Sequence, residues 1–206
     1  MVKTPKKISE GAEADIYESK LFGTRCIIKQ RRCKSYIPKE LDESLRERRT
    51  RTEARAIIRA AHAGIPVPRL LMVGVDSIWM GAIKGDTFQG KKEIPQNAQR
   101  VFGELLGKLH NADISHGDFT KANLMSDKTG KIFVIDFGLA NITDSYEEKA
   151  LDLLLLKRSL GKDFGGAIKA YKKTAVSYIE VCARLSEIEL RGRYQERTMA
   201  AEKDEE

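Results

Sequence analysis

The chain has 206 residues, enough for one well-filled core or for two small lobes sharing a cleft. Hydrophobic residues make up 41% and charged residues 33%, the balance of a folded protein with a heavily charged surface. The longest apolar run, Leu151 to Leu156, is broken by Asp152 and falls far short of the roughly 20 residues of a membrane span, so no membrane association is expected. The net charge of +7 gathers in Arg31-Arg32-Cys33-Lys34, in Arg46 to Arg59 and in Arg191-Gly192-Arg193, clusters that favour phosphate-rich partners such as RNA. The N-terminus has no apolar stretch of the secretory kind, and Cys26, Cys33 and Cys182 form no CxxC pair, which argues against a disulfide scaffold or a zinc site and for a cytoplasmic protein.

In chain order, Ile16–Leu21 and Arg25–Lys29 read as two strands joined by a turn at Phe22-Gly23-Thr24, with Ser9–Asp15 as a loop ahead of the first strand. Pro38 opens a helical stretch that runs to Ala63 and stops at Gly64. Leu41 and Leu45 share one face of it, as do Ala54, Ile57, Ile58 and Ala61. Between them Arg46–Thr52 is almost all polar, which predicts a helix that projects a basic face. Leu70–Val75 and Ser77–Met80 read as a strand pair, and Gly81–Asp86 as a hinge. Val101, Leu105, Leu106 and Leu109 fall on one face of a helix ending near Asn111. Leu124-Met125 and Ile132–Ile135 form a hairpin about Asp127–Gly130, and two further helices are expected over 145–160 and 167–190.

The chemistry concentrates between those elements. His116-Gly117-Asp118-Phe119-Thr120-Lys121-Ala122-Asn123 follows a predicted helix, and Asp136-Phe137-Gly138 follows a predicted strand. An Asp, an Asn five residues later and a second Asp beyond a hairpin form the set that phosphoryl transfer needs. Asp118 orients a hydroxyl or a water, while Asn123 and Asp136 hold Mg²⁺ on nucleotide phosphates. Lys121 is placed to neutralise a transferring phosphoryl group. Lys29, at the end of an apolar strand, reaches toward the α- and β-phosphates, and Glu53 on the long helix is its expected partner. Gly11-Ala12-Glu13-Ala14 precedes the first strand and is read as a cover for the phosphates, although it has one glycine where a full Gly-rich loop has three. His116 is read as structural, and His62 and His110 as ordinary helix residues.

These motifs resemble those of the protein-kinase-like superfamily. More closely, the chain resembles the Bud32 (PRPK) family of small atypical kinases. The likeness runs from Ile8 to about Arg193, through Gly11–Ala14, Ile28-Lys29, Arg48–Arg55, the His116–Asn123 loop, Asp136–Ala140 and the Arg191-Gly192-Arg193 tail. It implies a minimal bilobal kinase-like fold of the α+β class: a small β-rich N-lobe with one long helix over residues 1–83, and a reduced helical C-lobe over 84–206. It implies ATP and Mg²⁺ as cofactors, a nucleotide site that includes Met80 and Ile83 at the hinge, and a helix-borne Asp152 that braces the catalytic loop. Gly117 stands where larger kinases have an Arg that reads a phosphorylated activation segment, and only thirteen residues separate Gly138 from Asp152. Activation-loop control and a long peptide-docking segment are therefore not expected.

The resemblance further implies a serine/threonine kinase or ATPase of the KEOPS complex. Its partners would be Kae1-like and Cgi121-like proteins, with Pcc1 in the wider assembly that makes N6-threonylcarbamoyladenosine in tRNA. Arg46, Arg49, Arg191 and Arg193 are the residues expected to meet tRNA. A largely non-catalytic scaffold joining those partners is the competing expectation, with a RIO-type or small-molecule kinase ranked below it.

Overall fold

The computed structural model describes residues 4–11 and 13–204, with side chains described as far as Arg191. Ala12 and the side chain of Arg193 lie outside the described residues. The first strand, β1 (Lys6–Glu10), pairs antiparallel with β2 (Ala14–Leu21), so the segment read as a loop ahead of the first strand is the tip of a hairpin. Phe22 and Gly23 take left-handed conformations, the twist-matched two-residue turn that leads into β3 (Thr24–Arg31). Along β3, Cys26 and Ile28 are buried on one face of the sheet, while Lys29 and Arg31 share the other.

Helix α1 (Lys39–His62) follows, capped by Pro38 and ended by Gly64 at φ +71°. Its buried stripe takes in Asp42, Thr50, Glu53, Ala54, Ala56, Ile57 and Ala60, whereas Leu41 and Ile58 face solvent. The basic face is present, with Arg48, Arg49 and Arg51 exposed, but Thr50 of the polar middle turns into the core. The Thr50 hydroxyl donates to the Arg46 carbonyl at 2.7 Å and accepts from Arg31 Nε at 3.3 Å, and Arg46 bonds Asp42 at 2.8 Å and Asp76 at 2.5 Å. Polar groups enter a core when each finds a partner, and these do. Strands β4 (Leu70–Val73) and β5 (Ser77–Gly81) complete a five-stranded sheet of order β1-β2-β3-β5-β4.

Beyond the hinge come β6 (Gly85–Thr87), helix α2 (Gln96–Asn111) and the short strand β7 (Ile114–Ser115). The hairpin of β8 (Leu124–Asp127) and β9 (Ile132–Val134) joins β6 in a three-stranded sheet, and β10 (Asn141–Ile142) pairs with β7. Three helices close the chain: α3 (Tyr146–Leu160), α4 (Phe164–Thr174) and α5 (Tyr178–Asp204). The single helix expected over 167–190 is thus two. The Asn111 side chain makes the break: its amide donates to the Thr174 carbonyl at 2.8 Å and its oxygen accepts from Val176 N–H at 2.9 Å. One residue satisfies the end of α4 and the chain leading into α5.

One contiguous apolar core runs from Ala56, Ile57 and Ala60 of α1 through Phe102, Leu106 and Leu109 of α2 to Leu153 and Leu156 of α3. Arg59 adds polar ties, donating to the Ala112 carbonyl at 2.5 Å and to Asp113 at 3.1 Å, while Lys149 of α3 reaches the other Asp113 oxygen at 3.3 Å. Helices α2 and α4 approach unusually closely. A Cβ on Gly103 would lie 1.9 Å from the Ala167 carbonyl oxygen, and one on Gly107 would lie 2.8 Å from Thr174 Cβ.

The loop that carries Asp118 hangs from Asp152, which has no exposed surface. One Asp152 oxygen accepts from His116 N–H at 2.6 Å and the other from Gly117 N–H at 2.8 Å. His110 Nε2 sits 3.4 Å from the first oxygen, and Nδ1 lies 2.7 Å from the Tyr171 hydroxyl. Because a carboxylate only accepts, Nε2 carries the proton and Nδ1 accepts from Tyr171. Burial pushes the Tyr171 phenol up and the His110 imidazole down, and both stay neutral. His116 is likewise held neutral by burial: its Nε2–H donates to the Ile135 carbonyl at 3.2 Å, and its Nδ1 accepts from Asp118 N–H at 3.3 Å. His110, read as ordinary in sequence, is therefore part of the loop's support.

Two predictions follow from this packing. Gly103→Ala has no room against a backbone carbonyl and should destabilise the fold by about 1–3 kcal/mol or more, measured by urea unfolding; an unchanged midpoint would contradict the close α2–α4 contact. The two buried histidines take up protons in the unfolded chain before they do in the folded one. Their contribution is complete above about pH 6.5 and is lost as the pH falls through the window below it, by up to about 1.4 kcal/mol per pH unit for each. Unfolding free energies at pH 7.5 and 5.5 should show that decline, and equal values would count against two neutral buried imidazoles.

Candidate active site

Four charged side chains meet where β3, α1 and the segment after β9 converge. Lys29 Nζ lies 2.7 Å from Glu53 Oε1 and 2.6 Å from Asp136 Oδ1. Arg31 Nη2 takes the second Glu53 oxygen at 2.7 Å. Glu53 is 2% exposed, so its charge depends on both cations. Burial by itself would lower the Lys29 pKa, but the carboxylates of Glu53 and Asp136 outweigh it and the ammonium is held above its usual range. Burial likewise opposes ionisation of Asp136, and Lys29 with the Gly138 N–H overrides it, keeping that carboxyl below its usual range. Arg31 was missed in sequence; its position two residues beyond Lys29, hence on the same face of the strand, was the available signal.

Asp136 has φ +60°, a conformation that Asp tolerates better than most residues. Its Oδ1 accepts from Gly138 N–H at 3.2 Å. A Cβ on Gly138 would sit 2.8 Å from Lys29 Nζ and 3.1 Å from Asp136 Oδ1, so the glycine of the Asp-Phe-Gly motif leaves room for this ion pair. Phe137, 1% exposed, packs its ring 4.9 Å from His116 and ties the motif to the loop.

Across the cleft, Asn123 ends a short 3₁₀ turn, Lys121–Asn123. Its amide donates to the Asp118 carbonyl and to Asp118 Oδ2, both at 2.8 Å, which fixes the Asp118 side chain. Gly117 is required twice over: its φ is +77°, and a Cβ there would lie 2.4 Å from the Leu139 carbonyl oxygen. An Arg at this position does not fit the backbone path.

A cavity of about 530 Å³ brings six of the expected residues together, with Glu53 and Asn123 behind its lining. Gly11, Glu13, Ala14, Lys29, Asp118, Asp136 and Gly138 all line it, with Arg31 and Arg49. The hairpin tip is fastened over it through Glu13, which bonds Lys34 at 2.7 Å and Arg49 at 2.5 Å. Those contacts, the Lys34 hydrogen bond foremost, hold the Glu13 carboxyl below its usual range. Other expected residues sit elsewhere. Lys121 Nζ donates to the Lys91 carbonyl at 2.9 Å, and its side chain is not part of the cavity wall. Met80 packs against the core, and Ile83 lines a separate cavity of about 410 Å³ with Val67, Pro68 and Phe133.

Arg46 is mostly buried and committed to Asp42 and Asp76, Arg49 is committed to Glu13, and Arg191 lies 3.2 Å from Glu147. On α1, Arg48, Arg49, Arg51 and Arg55 face solvent.

Among the described residues no group of three or more His, Cys, Asp or Glu side chains makes a ready metal cage. Mg²⁺ needs none: it keeps several waters and takes one or two protein oxygens plus phosphate. Asp136 offers a charged oxygen, and Asn123, with its nitrogen turned to Asp118, offers its carbonyl oxygen. The residues fit a metal delivered with a nucleotide.

Comparison with known proteins identifies the family and the fold. The RIO domain family profile matches residues 24–184. The KEOPS complex subunit Bud32 of Pyrococcus abyssi is 35% identical over 216 residues, covering 94% of this chain and 98% of that protein. A probable serine/threonine-protein kinase BUD32 homolog of Archaeoglobus fulgidus is 36% identical over 197 residues, covering 93% and 97%. A probable bifunctional tRNA threonylcarbamoyladenosine biosynthesis protein of Methanothermobacter thermautotrophicus is 38% identical over 200 residues; the match covers 92% of this chain and 37% of that protein. Among solved structures, the Rio2 kinase–ADP/Mg²⁺–phosphoaspartate complex of Chaetomium thermophilum superposes with a TM-score of 0.67 at 15% identity over 95% of this chain and 72% of that one. The fold is thus kinase-like and of the α+β class, as expected. With the RIO profile across most of its length and two Bud32 proteins matched almost end to end, the chain belongs to the Bud32 group of the kinase-like RIO-domain family.

Proposed function

We propose that this chain is a Mg²⁺- and ATP-dependent phosphotransferase of the serine/threonine-kinase type, with ATPase activity. Its work is to serve an assembly that makes N6-threonylcarbamoyladenosine in tRNA. The observation that carries the reading is the convergence of Lys29, Asp118 and Asp136 on one cavity beneath the β1–β2 hairpin. Phosphoryl transfer asks a protein for positioning and charge neutralisation, and this cavity offers both. Lys29 supplies a cation for the nucleotide's phosphates, held in place by Glu53. Asn123 and Asp136 would hold Mg²⁺, which when bound neutralises charge building on the phosphates. Asp118, fixed by Asn123, accepts a hydrogen bond from the hydroxyl or water that attacks, and the 1–83 and 84–206 lobes flank the cleft.

The assembly side of the reading is supported by relatives named as KEOPS subunits and tRNA threonylcarbamoyladenosine biosynthesis proteins. Kae1-like and Cgi121-like proteins, with Pcc1, are its proposed partners, and the cytoplasm its proposed compartment. No described helix is long and apolar enough to cross a membrane.

Asp118→Asn and Asp136→Asn test the reading. Each keeps the side-chain size, and Asn tolerates the left-handed backbone at position 136. ATP turnover by the purified chain, alone and with a Kae1-like partner and tRNA, should fall about 10²–10⁴-fold for Asp118→Asn. For Asp136→Asn it should be lost together with the Mg²⁺ dependence. Wild-type turnover in both variants would remove the catalytic reading and leave a binding scaffold.

A further inference from the structure

An open groove of about 870 Å³ lies away from the nucleotide site, between α2 and α4. Arg100 and Lys108 come from α2, and Lys169 and Lys173 from α4; Glu104 is the one acidic side chain in the lining. The spacing is helical on both sides. Arg100, Glu104 and Lys108 repeat every fourth residue, and so do Lys169 and Lys173, which places each set on a single face. The two faces stand side by side because Gly103 and Gly107 let the helices close to backbone contact.

These cations differ from most of those in the other basic clusters of the chain, where Arg48 and Arg55 of α1 are the exceptions with no salt bridge among the described residues. Arg31, Arg46, Arg49, Arg59 and Arg191 are all bonded to carboxylates. Arg100 has a long contact to Glu104 at 3.7 Å. Lys108, Lys169 and Lys173 are exposed, and no carboxylate of the described residues forms a salt bridge with any of them. Three unneutralised ammonium groups around one concave surface repel one another and attract counter-ions, a cost that a polyanion relieves by displacing those ions.

We infer that the α2–α4 groove is a binding track for an RNA phosphate backbone, an inference that deepens the tRNA reading proposed above and rests on it. From Arg100 to Lys108 the α2 row runs about 12 Å at 1.5 Å per residue. That length spans several phosphates at the roughly 3.4 Å rise of a nucleic-acid strand. The lining holds no aromatic side chain on which a base would stack, so the track reads backbone and not sequence. Gln96 and Asn97 at one end supply neutral donors and acceptors suited to ribose hydroxyls. An acidic peptide is the less favoured occupant, since the groove offers no large apolar pocket for the anchors that peptide recognition uses.

The test is Lys108→Gln/Lys169→Gln/Lys173→Gln in the full chain. Binding of an unmodified tRNA transcript is followed by fluorescence anisotropy across salt concentrations, beside a fluorescent poly-glutamate peptide. The slope of log K against log salt should become shallower by about 2–3, at about 0.7–0.9 per cation removed. RNA-free ATP turnover should be unchanged, because no altered residue lies in the nucleotide cavity. A triple Arg48→Gln/Arg51→Gln/Arg55→Gln variant on the outer face of α1 should change the slope less. An unchanged slope in the groove variant, no binding of tRNA by the wild type, or loss of poly-glutamate binding with tRNA binding intact would each overturn the inference. Loss of ATP turnover in the nucleotide-site variants bears on the catalytic reading alone, so the two fail independently.

Discussion

The ammonium group of Lys29 is the point on which the rest of the structure turns. It sits within β3 with little exposure, and a lone amine buried there would lose its proton. Glu53 from α1 and Asp136 from beyond β9 prevent this, at 2.7 and 2.6 Å. Three segments far apart in the chain are thereby drawn together. Arg31 completes the cluster, leaving two cations against two carboxylates. Removing one partner from such a group strands a buried charge, typically at about 3–5 kcal/mol. Pairing of this kind also fixes geometry, because each carboxylate oxygen of Glu53 has its own donor.

The second organising group is Asp152. Its two oxygens accept consecutive backbone N–H groups at His116 and Gly117, and so suspend the loop that presents Asp118. Loop placement then depends on a buried carboxylate, two neutral histidines and the Phe137 ring, none of which needs a modification to assemble. This agrees with the glycine at position 117, where the left-handed backbone and the Leu139 carbonyl leave no space for an Arg. Such a site is held ready by its own packing. Part of the chain's positive charge is committed to ion pairs within the fold, Lys29 and Arg31 with Glu53, and Arg46 with Asp42 and Asp76.

The parts legible in sequence were those governed by local rules. The Phe22-Gly23 turn, the Pro38 start and Gly64 stop of α1, the apolar face of α2 and the Ser145 start of α3 all follow from periodicity, caps and turn chemistry. The Asp118, Asn123 and Asp136 set was legible because its spacing is short, and Glu53 because the motifs placed it opposite Lys29. What was not legible depended on partners distant in sequence. Nothing local says that Thr50 and Arg46 turn inward, since their partners Arg31 and Asp76 lie on other elements. Nor does the 167–190 pattern reveal that Asn111, more than sixty residues earlier, splits it into two helices. β1 was missed because its five residues are all exposed and carry no alternating pattern. The RIO likeness, ranked below Bud32 from sequence, is the wider family to which the Bud32 group belongs.

The most direct test of the central claim is a crystal structure of the chain with Mg²⁺ and a non-hydrolysable ATP analogue. Phosphates should lie within hydrogen-bond reach of Lys29 Nζ, with a metal bound by Asp136 and Asn123 beneath the β1–β2 hairpin. A nucleotide that binds elsewhere at saturating concentration, or a Lys29 cavity that stays free of it, would contradict the account.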